Sequence, residues 1–174
     1  ESPANPKPLR SIDPRLAAIA VGNFAHGSAT MGLIGLLNEI ADDLDVSIAT
    51  AGQLTTGMQL TAAICAPLVG FFGGALSRRT VLIAALVLTA LCQISAAFAS
   101  TFLMLLLART VSGLASAAYA PTAVVTASHL VEPERRSSAI AIVVMGFSLA
   151  GIVGVPLGVW LGGAFGWQIG RAHV

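Results

Sequence analysis

Charge is what this sequence has least of. Lys and Arg together number 9, and Asp and Glu 8, in 174 residues, so charged side chains make up 10% of the chain. A soluble domain, whose surface must be wetted, carries about 25%. The shortage is uneven: no charge interrupts residues 46–77, 80–108, 110–131 or 137–170. Each of these runs exceeds the ~20 apolar residues that cross a bilayer. A water-soluble enzyme is thereby excluded, and a net charge of only +1 argues against a nucleic-acid partner, which would need a basic surface. Cysteine is also scarce. Cys65 and Cys92 both lie inside apolar runs, with neither metal spacing nor a redox motif, and read as small buried hydrophobes. That excludes a disulfide-stapled secreted domain. No metal or other cofactor is expected, and the apolar runs hold no carboxylate pair or nucleophile constellation, so no enzyme is expected either.

What remains is hydrophobic: 56% of the residues, with a mean hydropathy of +0.86. The chain reads as an all-α, multi-pass membrane protein. Residues 1–15 hold four of the eight prolines and five charges, and are expected to be a disordered, solvated arm. Asp13-Pro14 gives a helix start, an N-cap carboxylate followed by proline at the first helical position. Five spanning helices are expected at about 16–37, 47–74, 80–99, 102–127 and 138–163. The last six residues, 169–174 (IGRAHV), match one reading frame of a common sequencing adapter and are set apart from the fold as an artefact.

The loops orient the spans. Lys7, Arg10 and Arg15 in the arm, Arg78 and Arg79 between the second and third spans, and Arg135 and Arg136 between the fourth and fifth all fall on one side. The other side carries only acids, Glu39, Asp42, Asp43 and Asp45. Basic loops stay in the cytoplasm, so the N-terminus is expected there, in a bacterial inner membrane.

Arg109 is the one full charge deep in a span, about 12 Å from its outer end at 1.5 Å per residue. Such a charge normally faces a partner or a watered cavity; the alternative is an arginine snorkelling to the interface. Ser112, Ser116 and Tyr119 follow it at helical spacing, and the first span carries Asn23, His26 and Thr30. Two polar faces predict a shared cavity, although isolated Ser and Thr in membrane helices often bond only their own backbone. Histidine's ordinary pKa lies near physiological pH, so His26 either exchanges a proton or packs as a satisfied core histidine. Gln53 and Thr56 form a weaker polar face on the second span. In the fifth, Gly146, Ala150, Gly154, Gly158 and Gly162 recur every four residues, spacing that lets another helix approach to backbone contact. Pro156 interrupts the ladder and permits a bend.

These motifs resemble one family, the major facilitator superfamily. The stretch 70–79 (GFFGGALSRR) resembles its cytoplasmic loop signature, Gly-x-Leu-Ala-Asp-Arg-x-Gly-Arg-Arg, matching at Gly70, Arg78 and Arg79, with Gly74 where the signature has aspartate. Arg109 and Gly113 match the helix-four signature Arg-x-x-x-Gly. The stretch 150–158 (AGIVGVPLG) resembles the helix-five antiporter motif at Gly154, Pro156 and Gly158. The pattern looks most like the drug:proton antiporter branch, near the arabinose-efflux permeases. The resemblance implies that residues 16–168 are five helices of the N-terminal six-helix bundle of a twelve-helix transporter. Its other half is missing here, and the implied mechanism is alternating access. Many relatives carry an acidic residue in helix one where this chain has Ala29 and Thr30.

The expected function is secondary transport of small organic molecules such as sugars or drugs, by proton-coupled efflux, with Arg109 and His26 as coupling residues. The alternatives are an uncoupled facilitator or importer of the same fold, and a non-transporting membrane scaffold. The expected partners are the lipid bilayer, a small-molecule substrate, protons and the transporter's own C-terminal half. The topology has a direct check. In intact cells an impermeant thiol reagent should label a cysteine placed at Asp43 and spare one placed at Arg135; the reverse pattern would overturn the charge argument.

Overall fold

The computed structural model describes residues 13–72 and 76–165. Gly74 of the loop signature, the first twelve residues of the expected arm and the tail 169–174 lie outside the described residues. In lipid every backbone N–H and C=O must be satisfied within the chain, and the described residues meet that demand with helices: α1 (Pro14–Met31), a 3₁₀ turn (Gly32–Leu36), α2 (Leu37–Asp43), α3 (Ile48–Phe72), α4 (Arg78–Ala97), α5 (Phe102–His129), a short 3₁₀ turn (Pro133–Arg135), α6 (Arg136–Leu149), a π turn (Ala150–Gly154) and α7 (Val155–Phe165).

Local chemistry sets the boundaries. Asp13 Oδ1 accepts the Arg15 N–H at 2.8 Å, with Pro14 in the first turn. The helix therefore takes its first residues from the stretch expected to be a free arm. Ser77 and Thr101 cap α4 and α5 by accepting from Thr80 N at 3.2 Å and Met104 N at 3.3 Å. Arg78 and Arg79 occupy the first turn of α4, where the helix dipole disfavours cations by a few tenths of a kcal/mol or more.

Among the described residues, four stretches are long and apolar enough to cross a membrane: Ile48–Phe71, Arg78–Ala97, Phe102–His129 and Pro133–Gly162. The last runs through the π turn and joins α6 to α7 in one span. The first of the five helices is the polar one, since α1 carries Arg15, Asn23 and His26 and changes to a 3₁₀ turn at Gly32. The single helix expected over 16–37 is thus interrupted at Gly32.

The helices pack through small residues. The fifth-span ladder lies on α1: a Cβ added to Gly146 would run into the Ala20 carbonyl, and one on Gly154 into Ser28, whose Cβ would be only 2.9 Å away. The contact is mutual, because a Cβ on Gly27 of α1 would stand 2.8 Å from the Ala150 Cβ. On a 3.6-residue helix a strict four-residue repeat drifts about 40° per step. The wider π turn at Ala150–Gly154 takes back part of that rotation and keeps the stripe on α1. Pro156 stands two residues beyond the π turn and, lacking an N–H, cannot donate to the Ile152 carbonyl four residues before it. On the other side of the bundle, α5 brings Gly113 against the Met58 carbonyl and Ala62 N of α3. Two buried clusters fill the interior. One is built around Leu16, Tyr119, Ala123 and Val143, the other around Ile40, Leu54, Ala99 and Leu105 near the acidic end.

The ladder positions are not equivalent. A Cβ on Gly158 meets nothing closer than the Gly32 Cα at 3.9 Å, an ordinary contact. In the full-length protein Gly158→Ala should therefore leave folding intact, and alanine's better helix propensity adds up to about 1 kcal/mol. Gly146→Ala should cost about 1–3 kcal/mol through overpacking, and Gly154→Leu should abolish folding or transport. Thermal unfolding and size-exclusion profiles in detergent read all three. A normally expressed, fully active Gly154→Leu protein would show that the ladder does not face α1.

Candidate functional site

Arg109 lies 3% exposed at the meeting of α1, α4 and α5. Its Nη1 donates to the Ala29 carbonyl at 3.1 Å and to Gln93 Oε1 at 3.3 Å, and its Nη2 to the Thr30 carbonyl at 3.4 Å. The local fold of α1 explains why those carbonyls are on offer. Just beyond Thr30 the ladder of α1 changes from i→i+4 to i→i+3 bonding at Gly32, which leaves a carbonyl at the junction without its usual donor. A guanidinium is a planar fork of five N–H donors, so one side chain caps the broken helix and still reaches a third helix. The snorkelling alternative does not fit these contacts. Nε finds no partner among the described residues, and none of the three acceptors carries a formal charge.

Arg109 and Gly113, four residues apart, divide the work of their motif. The arginine reaches α1 and α4, while the glycine lets the backbone of α3 close on α5.

A second polar group sits deeper along the same helices. His26 is 3% exposed, its ring stacked on Tyr119 with centroids 5.3 Å apart, and its Nδ1 lies 3.0 Å from Thr89 Oγ1. Tyr119 donates to the Ile19 carbonyl at 3.1 Å. Gly22 makes that bond possible, since a Cβ there would occupy the place of the Tyr119 hydroxyl. Asn23 Nδ2 donates to the Val143 carbonyl at 2.8 Å and ties α1 to α6.

A cavity of about 550 Å³ opens between α1, α4, α5 and α7. Its walls are mostly apolar, with Phe24, Leu33, Leu36 and Leu157 among them, and its polar lining comes from Ser28, Gln93 and Arg109. The Ser28 hydroxyl is buried without a partner among the described residues. A second cavity, about 590 Å³ at the basic end, carries Asp13, Arg15, Glu132 and Arg135 on its walls.

The expected cavity stripe is therefore split. Of its members, Arg109 lines the cavity between α1, α4, α5 and α7. Asn23, His26, Ser112 and Tyr119 are packed between helices, each bonded there, rather than facing open space. Ser112 and Ser116 give their protons to the carbonyls of Arg109 at 2.7 Å and Ser112 at 3.4 Å, and Thr30 to Gly27 at 3.0 Å, all within their own helices. A hydroxyl committed to its own backbone offers little to a solute. Gln53 and Thr56 lie on the exposed face of α3, away from both cavities. Gly70 lies in the last turn of α3 with open space where a Cβ would stand, and Arg78 and Arg79 are exposed. Gln93 and Thr89 were missed. Single polar residues in an otherwise apolar helix make no periodic pattern, and their only signal was being the amide and a hydroxyl spaced one turn apart.

Comparison with known proteins bears on the same residues. The Major Facilitator Superfamily family model matches residues 19–170. The chain is 34% identical over 159 residues to the MFS-type transporter YtbD of Bacillus subtilis, covering 91% of this chain and 40% of YtbD. It is 34% identical over 154 residues to the inner membrane transport protein YdhP of Escherichia coli K12, covering 88% and 40%. It is 33% identical over 153 residues to a chloramphenicol resistance protein of Streptomyces lividans, covering 88% and 39%. The chain thus spans about two fifths of the length of the curated relatives it matches.

Proposed function

The chain belongs to the major facilitator superfamily, and from that premise we propose that the protein containing it is a secondary transporter that exports small organic molecules by alternating access coupled to proton antiport. The observation that carries this reading is the bonding of Arg109. A buried arginine costs about 2.5–3.5 kcal/mol in a helix centre on the translocon scale, and this one is held by acceptors on two other helices. Two of those acceptors are carbonyls at the junction where α1 changes its helical form. The outer part of α1 can move relative to α5 only if Arg109 exchanges partners. Because the present partners are neutral, the exchange separates no ion pair. His26, stacked on Tyr119 between the same helices, supplies a group that takes up and releases a proton. The names of two relatives, a chloramphenicol resistance protein and a transport protein of an inner membrane, support drug-like solutes and a bacterial inner membrane, and the basic loops support a cytoplasmic N-terminus.

One observation favours a second reading, a facilitator without proton coupling. Helix one offers Arg109 the carbonyls of Ala29 and Thr30 rather than a carboxylate, so a titrating acid is missing from the place where many relatives have one.

Inverted vesicles with a preset pH gradient separate these readings. Addition of chloramphenicol or a pentose that the protein carries should dissipate the gradient in wild type. Arg109→Ala should insert at the wild-type level, since the span becomes more apolar, yet leave the gradient intact. Arg109→Lys should fare little better, because lysine keeps the charge and loses the fork. An Arg109→Ala protein with wild-type rate and gradient dependence would refute the role given to this residue. Solute flux that moves no protons in wild type would favour the facilitator.

A further inference from the structure

Beyond Arg78 and Arg79 of the loop signature, helix α4 had no part in the expected site, yet one of its faces holds both candidate coupling residues. Gln93 bonds Arg109 of α5, and one turn earlier Thr89 bonds His26 of α1. The direction of the second bond follows from the proton inventory. Thr89 is buried, and its hydroxyl donates to the Ala85 carbonyl at 2.9 Å. A hydroxyl has one proton. With that proton directed along the helix, Thr89 offers the imidazole 3.0 Å away only a lone pair, and a lone pair is satisfied only by a ring N–H. The other group against the ring does not compete, since the Tyr119 hydroxyl is spent on the Ile19 carbonyl at 3.1 Å. A neutral imidazole carries one N–H.

We propose that Thr89 is a positioning residue that locks neutral His26 as its Nδ1–H tautomer, leaving Nε2 as the atom that accepts a proton. The tautomer follows from the Thr89 proton being given to the Ala85 carbonyl; its consequence for transport rests on the proton-coupled reading above. The step balances simply. A proton arriving at Nε2 makes an imidazolium that still donates from Nδ1 to Thr89, and loss of the Nε2 proton restores the same tautomer. The ring is thus held through the cycle at one nitrogen and exchanges at the other. An unlocked imidazole can lose either proton and turn over, so the direction of its exchange is undefined.

The test is nitrogen-15 solid-state NMR of the histidine-labelled, full-length protein in lipid bilayers at mildly alkaline pH. His26 is assigned by the signals that vanish in His26→Gln. Wild type should show a protonated Nδ1 and an unprotonated Nε2. Thr89→Ser, which keeps the hydroxyl, should preserve that pattern. Thr89→Val, or Thr89→Cys with its weak sulfur acceptor, should lose the Nδ1–H resonance in favour of Nε2–H. An Nε2–H tautomer in wild type, or an unchanged spectrum in both Thr89→Val and Thr89→Cys, would overturn the proposal. The same variants, assayed for solute-driven loss of the pH gradient, separate the two claims. A shifted tautomer with an unaltered pH profile of flux would leave the lock standing and remove His26 from proton coupling.

Discussion

The guanidinium of Arg109 is the constraint on which the arrangement of this bundle turns. An unpaired charge in hydrocarbon is expensive, and a helix that changes its hydrogen-bond ladder in mid-membrane leaves backbone oxygens that water cannot reach. Each defect satisfies the other. Arg109 gains acceptors from α1 at Ala29 and Thr30, and α1 gains donors where its α-helical ladder stops at Met31. The amide of Gln93 completes the set from α4. Either defect alone would destabilise the span that contains it. Together they fix the relation of three helices at one point.

Around this polar knot the bundle is built from close approach rather than bulk. Gly27, Gly146, Ala150 and Gly154 bring α1 and the fifth span together, and Gly113 does the same for α3 and α5. Apolar surface has no solvent-driven reason to pair inside a lipid phase, so backbone proximity and dispersion must supply the attraction. Large apolar side chains such as Leu60, Ile64, Leu91 and Trp160 point outward instead. The inside-out distribution is the signature of a lipid-facing surface. The π turn before Pro156 belongs to the same design, since it corrects the angular drift of the glycine stripe at the place where it meets Ser28.

Much of this was legible in the sequence. Long charge-free runs identify membrane helices because a helix satisfies its whole backbone within one continuous segment. The glycine ladder was visible as a repeat, and Arg109 stood out because a lone charge in such a run is rare. What stayed hidden was relational. The ladder did not say that α1 was its partner. Ser112 and Ser116 lie on the stripe by spacing, but their hydroxyls turn back on their own helix, a choice that spacing does not encode. Thr89 and Gln93 belong to the site only because α4 packs beside α1 and α5. The change at Gly32 had a faint local cue in Gly32 and Gly35, both poor helix formers, yet its meaning depended on an arginine almost eighty residues away.

The central claim is that Arg109 holds α1 at its α-to-3₁₀ junction. Hydrogen–deuterium exchange of the full-length protein in lipid nanodiscs, resolved to peptides covering residues 28–36, tests it most directly. In Arg109→Met the amides of the Gly32–Leu36 turn should exchange markedly faster than in wild type, while peptides from α3 and the basic end of α5 keep their protection and show that the bundle is folded. Unchanged exchange across residues 28–36 in a folded Arg109→Met protein would contradict the account.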